Sequence, residues 1–249
     1  MGIRKKLKKI IKSFFKKKET YDESLSKLRI GVVGAGTQGI LLSEIVESAG
    51  AKVVAIHDRK IVKARKLSLL RNSNLATDNL EEFFKVDVDG ILVCTVPKIR
   101  KEIIKLACKK NIHLLIEKPP AYNLEEGREC LNEIEKSGII SSVGFQLRYE
   151  PRYERVKELI QGHEIHLIRT VCTVDYYLNF AMPDWFLKNE ASGGPIAEQA
   201  SHLLDVTRFI LGNPKAIKVS SFGIKNMELD KKEFTAENSI QLIYQLDNG

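Results

Sequence analysis

The sequence predicts an α/β fold: a doubly wound parallel sheet followed by a second α/β domain with an open, mostly antiparallel sheet. Three observations predict it. Short apolar runs alternate with amphipathic stretches from about residue 28 to residue 148, the pattern of a parallel sheet covered on both faces. A glycine-rich turn joins the first apolar run to the first helical stretch. Beyond residue 150 long β-like stretches follow with few helices between them, which points to an antiparallel sheet.

In order, "LRIGVVG" reads as a strand, 37–49 as a helix, "AKVVAIHD" as a strand and 61–71 as a helix. "GILVCTV", "IHLLIE" and "IISSVGF" continue the strands, with helices over 98–110 and 123–137 between them. A helix over 151–161 then leads to one long strand, "EIHLIRTVCTVDYYL" (164–178), and to the helix that follows "GGP". "AIKVSSFGI" and "SIQLIYQL" are the last two strands. The expected units are a tail and linker over 1–27, a nucleotide-binding domain over 28–148 and a substrate and oligomerisation domain over 149–249.

Composition excludes several classes. Of 249 residues, 43% are hydrophobic and 29% charged, ordinary for a globular protein. No apolar run approaches the roughly 18 residues of a membrane span, and the lysine-broken amino terminus does not read as a secretory signal. A cytoplasmic location is the expectation. Four widely spaced cysteines suggest neither a metal site nor a disulfide framework. The net charge of +8 comes from a tail: residues 1–18 hold nine of the 40 basic residues and no acid, so the body carries 31 basic against 32 acidic residues. That body gives no reason to expect nucleic-acid binding. In the tail Ile3, Leu7, Ile10, Ile11, Phe14 and Phe15 share one helical face opposite lysines, which suits an anionic membrane surface.

"GAGTQG" places Gly34, Gly36 and Gly39 as GxGxxG after a strand and at a helix start, with Asp58 19 residues beyond Gly39 at the end of the next strand. This context is that of a dinucleotide site, in which the pyrophosphate sits on the helix amino terminus. Asp58 favours NAD through its ribose hydroxyls; Arg59 and Lys60 beside it are cations that can hold a 2′-phosphate, so NADP stays open. In "GGPIAEQASHLLD" Glu198 and His202 are four residues apart, hence on one helix face. Such a carboxylate can orient an imidazole whose ordinary pKa suits proton transfer near neutrality.

The glycine motif, "EKPP" and "GGPIAEQASHLLD", in this order, resemble the glucose–fructose oxidoreductase and inositol dehydrogenase family from about Leu28 to Gly249. The resemblance implies a Rossmann domain, then an α/β domain whose open sheet makes homo-oligomer contacts. It also implies hydride exchange between a nicotinamide and a secondary alcohol or ketone, usually of a sugar or cyclitol. Lys118 matches the catalytic lysine of "EKP" and His202 the histidine of D-x-x-x-H, with Glu198 where aspartate is more usual. The cofactor set expected is Gly34, Ala35, Gly36, Thr37, Gln38 and Gly39 of the turn, Asp58 and Arg59, Thr95 and Pro97 of "CTVP", and Glu117 and Lys118. Arg100 stands where the family commonly has histidine, which implies altered contacts on the nicotinamide side.

Gln146, Arg148 and Tyr149 of "GFQLRY", and the aromatic residues Tyr176, Tyr177 and Trp185, are further substrate candidates; the aromatic ones equally suit a core. The closing Asp247, Asn248 and Gly249 read as a hairpin turn calling for a returning strand, so the chain reads as C-terminally shortened. Two alternatives to the sugar or cyclitol enzyme therefore stand beside it. One is an inactive nucleotide-binding or membrane-associated scaffold, and the other a reductase for a non-sugar substrate.

Overall fold

Six short segments form one parallel sheet: β1 (Arg29–Val33), β2 (Lys52–His57), β3 (Leu75–Thr77), β4 (Gly90–Val93), β5 (His113–Ile116) and β6 (Ser141–Val143). They lie in the order β3-β2-β1-β4-β5-β6 and every neighbouring pair is parallel. This is the Rossmann order. The computed structural model describes residues 23–173, 185, 188–225, 235, 237 and 239–248. The basic tail and the candidates Tyr176 and Tyr177 lie outside the described residues.

The inner strands β1, β2, β4 and β5 are apolar over their middle residues because both faces are covered. Val33, Val54, Ile91, Val93 and Ile116 point into a core with Phe83, Ile103 and Ile104, whereas Val32, Val53, Ile56 and Leu92 point into a second core with Ala64 and Leu67. Helices α1 (Thr37–Ser48), α2 (Ile61–Arg71), α3 (Leu80–Phe83), α4 (Arg100–Lys109) and α5 (Leu124–Ser137) make the crossovers. The Asn123 side chain accepts the Glu126 N–H at 2.8 Å to start α5, and Gly138 in the left-handed region ends it. The short β3 and α3 were not expected. Asn79 starts α3 by accepting the Glu82 N–H at 3.1 Å, and the helix serves to seat Phe83, fully buried, over the sheet.

After β6 come a 3-10 turn (Gln146–Tyr149), α6 (Pro151–Leu159), α7 (Asn189–Ser192) and α8 (Gly194–Ile210). An antiparallel ribbon follows, made of β7 (Ala216–Ile224) and β8 (Ser239–Leu246). The expected strand over 164–178 is corrected in its described part: 164–173 carries no strand. Its β-forming residues find no partner among the described strands, and a strand without hydrogen-bonded neighbours is not stable in water. At the far end Asp247 closes the ribbon, its N–H donating to Lys215 O (2.9 Å) and its Oδ1 accepting the Lys215 N–H (2.8 Å). Ile217, Val219, Phe222 and Ile243 of the ribbon are exposed. No described helix is long and apolar enough to cross a membrane.

Two glycines of the first turn separate packing from openness. A Cβ on Gly39 would lie 1.9 Å from the Gly34 carbonyl oxygen, whereas a Cβ on Gly36 would meet nothing within 4 Å. We expect Gly39→Ala to destabilise by roughly 3 kcal/mol or more, as overpacking against backbone does, and Gly36→Ala by about 1 kcal/mol. Urea unfolding of the two variants measures this, and equal losses would contradict it.

Candidate active site

The carboxyl ends of β1 and β4 meet where the strand order reverses, the place at which ligands bind to open α/β sheets. Gly34 sits at φ +103 against the chain after β4, so close that a Cβ would fall 2.7 Å from Cys94 O. That contact holds the turn open above Gly36. Helix α1 then starts with no side-chain cap and no acid in its first turn, leaving its N–H groups and positive dipole end for an anion. Thr37 and Gln38 are exposed there, and Ala35 is buried beneath them. Asp58 supports the turn: its Oδ2 accepts the Ala35 N–H and its Oδ1 the Lys60 N–H, both at 2.9 Å. Arg59 beside it is exposed. Across the cleft the Thr95 hydroxyl is buried without a partner, next to the buried Pro97. An uncapped helix start, open space over Gly36 and an orphaned hydroxyl fit a dinucleotide.

Lys118 follows β5 and reaches across to α8. Its Nζ donates to Glu198 Oε2 and to the Glu198 carbonyl oxygen, each at 2.8 Å, with both side chains largely buried. The expected Glu198–His202 contact is therefore corrected. The two residues do share a face of α8, but the glutamate's extra methylene carries its carboxylate to the ammonium, which outcompetes a neutral imidazole for it. His202 Nδ1 is buried without a partner, and the ring lies edge-on to Phe145 at 6.4 Å between centroids. Burial and the Lys118 charge hold the imidazole down at about 4, with Asp205 opposing them. His202 is thus a neutral proton acceptor over the whole neutral range.

Arg100 is the residue whose role the sequence left open. It is 3% exposed, and its guanidinium donates to the carbonyl oxygens of Thr95, Glu117 and Pro119. Two of those carbonyls flank Lys118, so the arginine ties the β4 and β5 loops together and fixes the backbone from which the lysine projects. Burial lowers its pKa to about 10, while the nearby Glu198 and Glu117 oppose the fall. Burial also raises the Glu117 carboxyl, against the pull of Lys118 and Arg100. No pattern in the sequence marks this clamp, because Arg100 opens a helix whose next two residues, Lys101 and Glu102, are charged as well.

The remaining candidates divide. Arg148 does not stand free toward the cleft: its guanidinium is committed to both Asp205 carboxylate oxygens, with Nε at 2.8 Å from Oδ2 and Nη2 on Oδ1. The chain thereby docks α8 on the 3-10 turn. Gln146 and Tyr149 on the same turn are exposed. Trp185 is half-buried, and its carbonyl accepts the Lys188 N–H at 3.3 Å.

Comparison with known proteins fits this geometry. Residues 28–145 match the oxidoreductase family with an NAD-binding Rossmann fold, and residues 153–249 match the GFO/IDH/MocA C-terminal domain. The chain belongs to this family. A Gfo/Idh/MocA relative from Bacillus subtilis, scyllo-inositol 2-dehydrogenase (NAD(+)), is 27% identical over 197 residues, 75% of this chain and 54% of the relative. D-glucoside 3-dehydrogenase of Escherichia coli is 23% identical over 240 residues, 90% of this chain and 68% of the relative. The chain thus spans about half to two thirds of the length of these curated relatives. Among solved folds, an oxidoreductase domain protein from Kribbella flavida superposes with a TM-score of 0.78 at 22% identity, covering 89% of this chain and 64% of that one. A dehydrogenase from Chromobacterium violaceum, solved with NADH and UDP-GlcNAcA, gives 0.74 at 18% identity over 90% of this chain and 65% of that one.

The depressed His202 pKa has a consequence for stability. Between about 4 and the ordinary histidine value of 6.5 the unfolded chain binds a proton at this residue and the folded protein does not. Stability is therefore lost as pH falls from 6.5 toward 4. The urea midpoint of the wild type should drop more over this range than that of His202→Gln, which lacks the titrating group. Parallel curves for the two proteins would contradict the buried neutral imidazole.

Proposed function

We propose that this chain is an NAD(P)-dependent oxidoreductase acting on a secondary alcohol, or the matching ketone, of a sugar-like or cyclitol substrate. The observation that carries the proposal is the buried group of Lys118, Glu198 and His202 at the carboxyl edge of the sheet, beside the open glycine turn. The relatives named for inositol and glucoside dehydrogenation support the substrate class.

In the oxidative direction the alcohol loses its C–H electron pair as hydride and its O–H proton. A bound nicotinamide supplies the hydride acceptor. Gly36 and the start of α1 would hold the pyrophosphate, Asp58 the adenosine ribose, and Thr95, Pro97 and Glu117 would line the nicotinamide side. The Asp58 carboxylate, with lone pairs left beyond its two backbone contacts, favours NAD and repels a 2′-phosphate.

His202 takes the proton. An imidazole held neutral by burial is always in the accepting form at neutral pH, at the cost of a weaker driving force for the transfer. Lys118 acts at the same oxygen. Of its three N–H donors two are used by Glu198, which leaves one for the substrate oxygen, where the fixed ammonium stabilises developing alkoxide charge. Glu198 holds that ammonium in place.

The test begins with NADH fluorescence on the purified protein, followed by a screen of inositols and glucosides for nicotinamide reduction. His202→Ala should lower turnover by about a hundredfold or more while leaving NADH affinity unchanged. Wild-type turnover in that variant would refute the assignment of the base.

A further inference from the structure

The Arg148–Asp205 pair lies behind the site, between the turn that ends the Rossmann sheet and the helix that carries His202. Asp205 is 8% exposed and stands one helical turn after His202 on α8. A carboxylate so placed would act on the imidazole as an unscreened anion. Arg148 answers it with a two-pronged bond from the 3-10 turn, 57 residues earlier. The guanidinium itself is wedged between two rings, 5.8 Å from the Phe145 centroid and 5.5 Å from that of Phe209. Phe145 is in turn the ring against which His202 stands edge-on. One arginine thus touches the anion beside the imidazole and the aromatic wall in front of it.

We propose that Arg148 and Asp205 act together as a positioning pair for His202: the fork fixes the rotation of α8 against Phe145 and partly offsets the Asp205 charge beside the imidazole. The fork geometry matters as well as the charge, because a planar guanidinium binding both carboxylate oxygens fixes direction, which an ammonium does not.

The charged groups around His202 can be accounted for. Lys118, from the β5 loop, and Asp205, on the same helix, act on it. Glu198 is held by Lys118. On α6, Lys157 lies over the Phe209 ring at 4.4 Å, Arg152 pairs with Glu150 and Arg155 with Glu158. Glu190 on α7 is exposed. Among the described residues Arg148 is therefore the cation paired with Asp205. With it removed, the lone carboxylate would favour the protonated imidazole and spoil the neutral acceptor.

The inference rests on the reading of His202 as base only for what the tuning serves, and its test needs no turnover. Five histidines are present, and the His202 ring-proton resonance is identified by its loss in His202→Gln. Titrated by NMR in the free protein, Arg148→Met should raise the His202 midpoint by about one pH unit. Adding Asp205→Asn to that variant should bring it back down. A pair with a merely structural role would leave the double variant displaced like the single one, which would overturn the proposal, as would an unmoved midpoint in Arg148→Met. If Arg148→Met fails to fold, Arg148→Gln, which can still donate to Asp205 but carries no charge, should raise the midpoint, and no rise would overturn it. An inactive protein with the predicted shifts would refute the proposed function and leave the pair standing; an active one with unmoved midpoints would do the reverse.

Discussion

The contact between Lys118 and Glu198 ties together two parts of the chain 80 residues apart. A buried ion pair carries a large desolvation cost, and it persists only where geometry and further hydrogen bonds offset that cost. Here they do. The ammonium donates to the carboxylate and to the main-chain carbonyl of the same residue, so α8 is held both by a charge and by its backbone. Arg100 secures the other side of the contact through carbonyls flanking Lys118. Two cations, Arg100 and Lys118, thus face two carboxyl groups, Glu117 and Glu198, in one buried region. His202 adds no further charge.

That neutrality follows from the same contact. A carboxylate bound to His202 would raise its basicity, as in an aspartate–histidine unit. With Glu198 turned to Lys118, the imidazole has a cation near it and an orphaned Nδ1, and both burial and charge keep it unprotonated. The helix supplying both residues is placed by two remote ties, Lys118 from the sheet edge and Arg148 from the turn after β6. The sheet in turn positions the glycine turn, because Gly34 packs on Cys94 at the β1–β4 crossing. The glycine turn and the Lys118–Glu198 contact are thus both fixed at one sheet edge.

Much of this was legible in the sequence. Continuous apolar runs marked five of the six parallel strands, and β7 and β8 fall on the predicted segments. The glycine spacing and the "EKPP" and "EQASH" segments marked the candidate site by residue type and order, and Lys118 and Glu198 of the last two do meet. What was not legible depends on side-chain reach or on absent partners. The three residues of β3 and four of α3 are too short for periodicity to register, although Asn79 three residues before Glu82 is a capping signal. Residues 164–173 have β-forming composition, but composition cannot supply a neighbouring strand. Helical spacing put Glu198 and His202 on one face correctly; it could not say that a lysine 80 residues earlier would claim the carboxylate. Arg100 and Arg148 are surface-type residues whose anchoring roles exist only in three dimensions.

The buried contact between Lys118 and Glu198 is the central claim, and a double-mutant cycle on folding stability tests it most directly. Lys118→Met and Glu198→Gln each remove one partner and strand the other, so each should cost about 3 kcal/mol in urea unfolding. The double variant should be more stable than the sum of the single losses implies, by about 1 kcal/mol or more. Losses that simply add would mean that the two side chains do not hold each other, and the account of the site would fail with them.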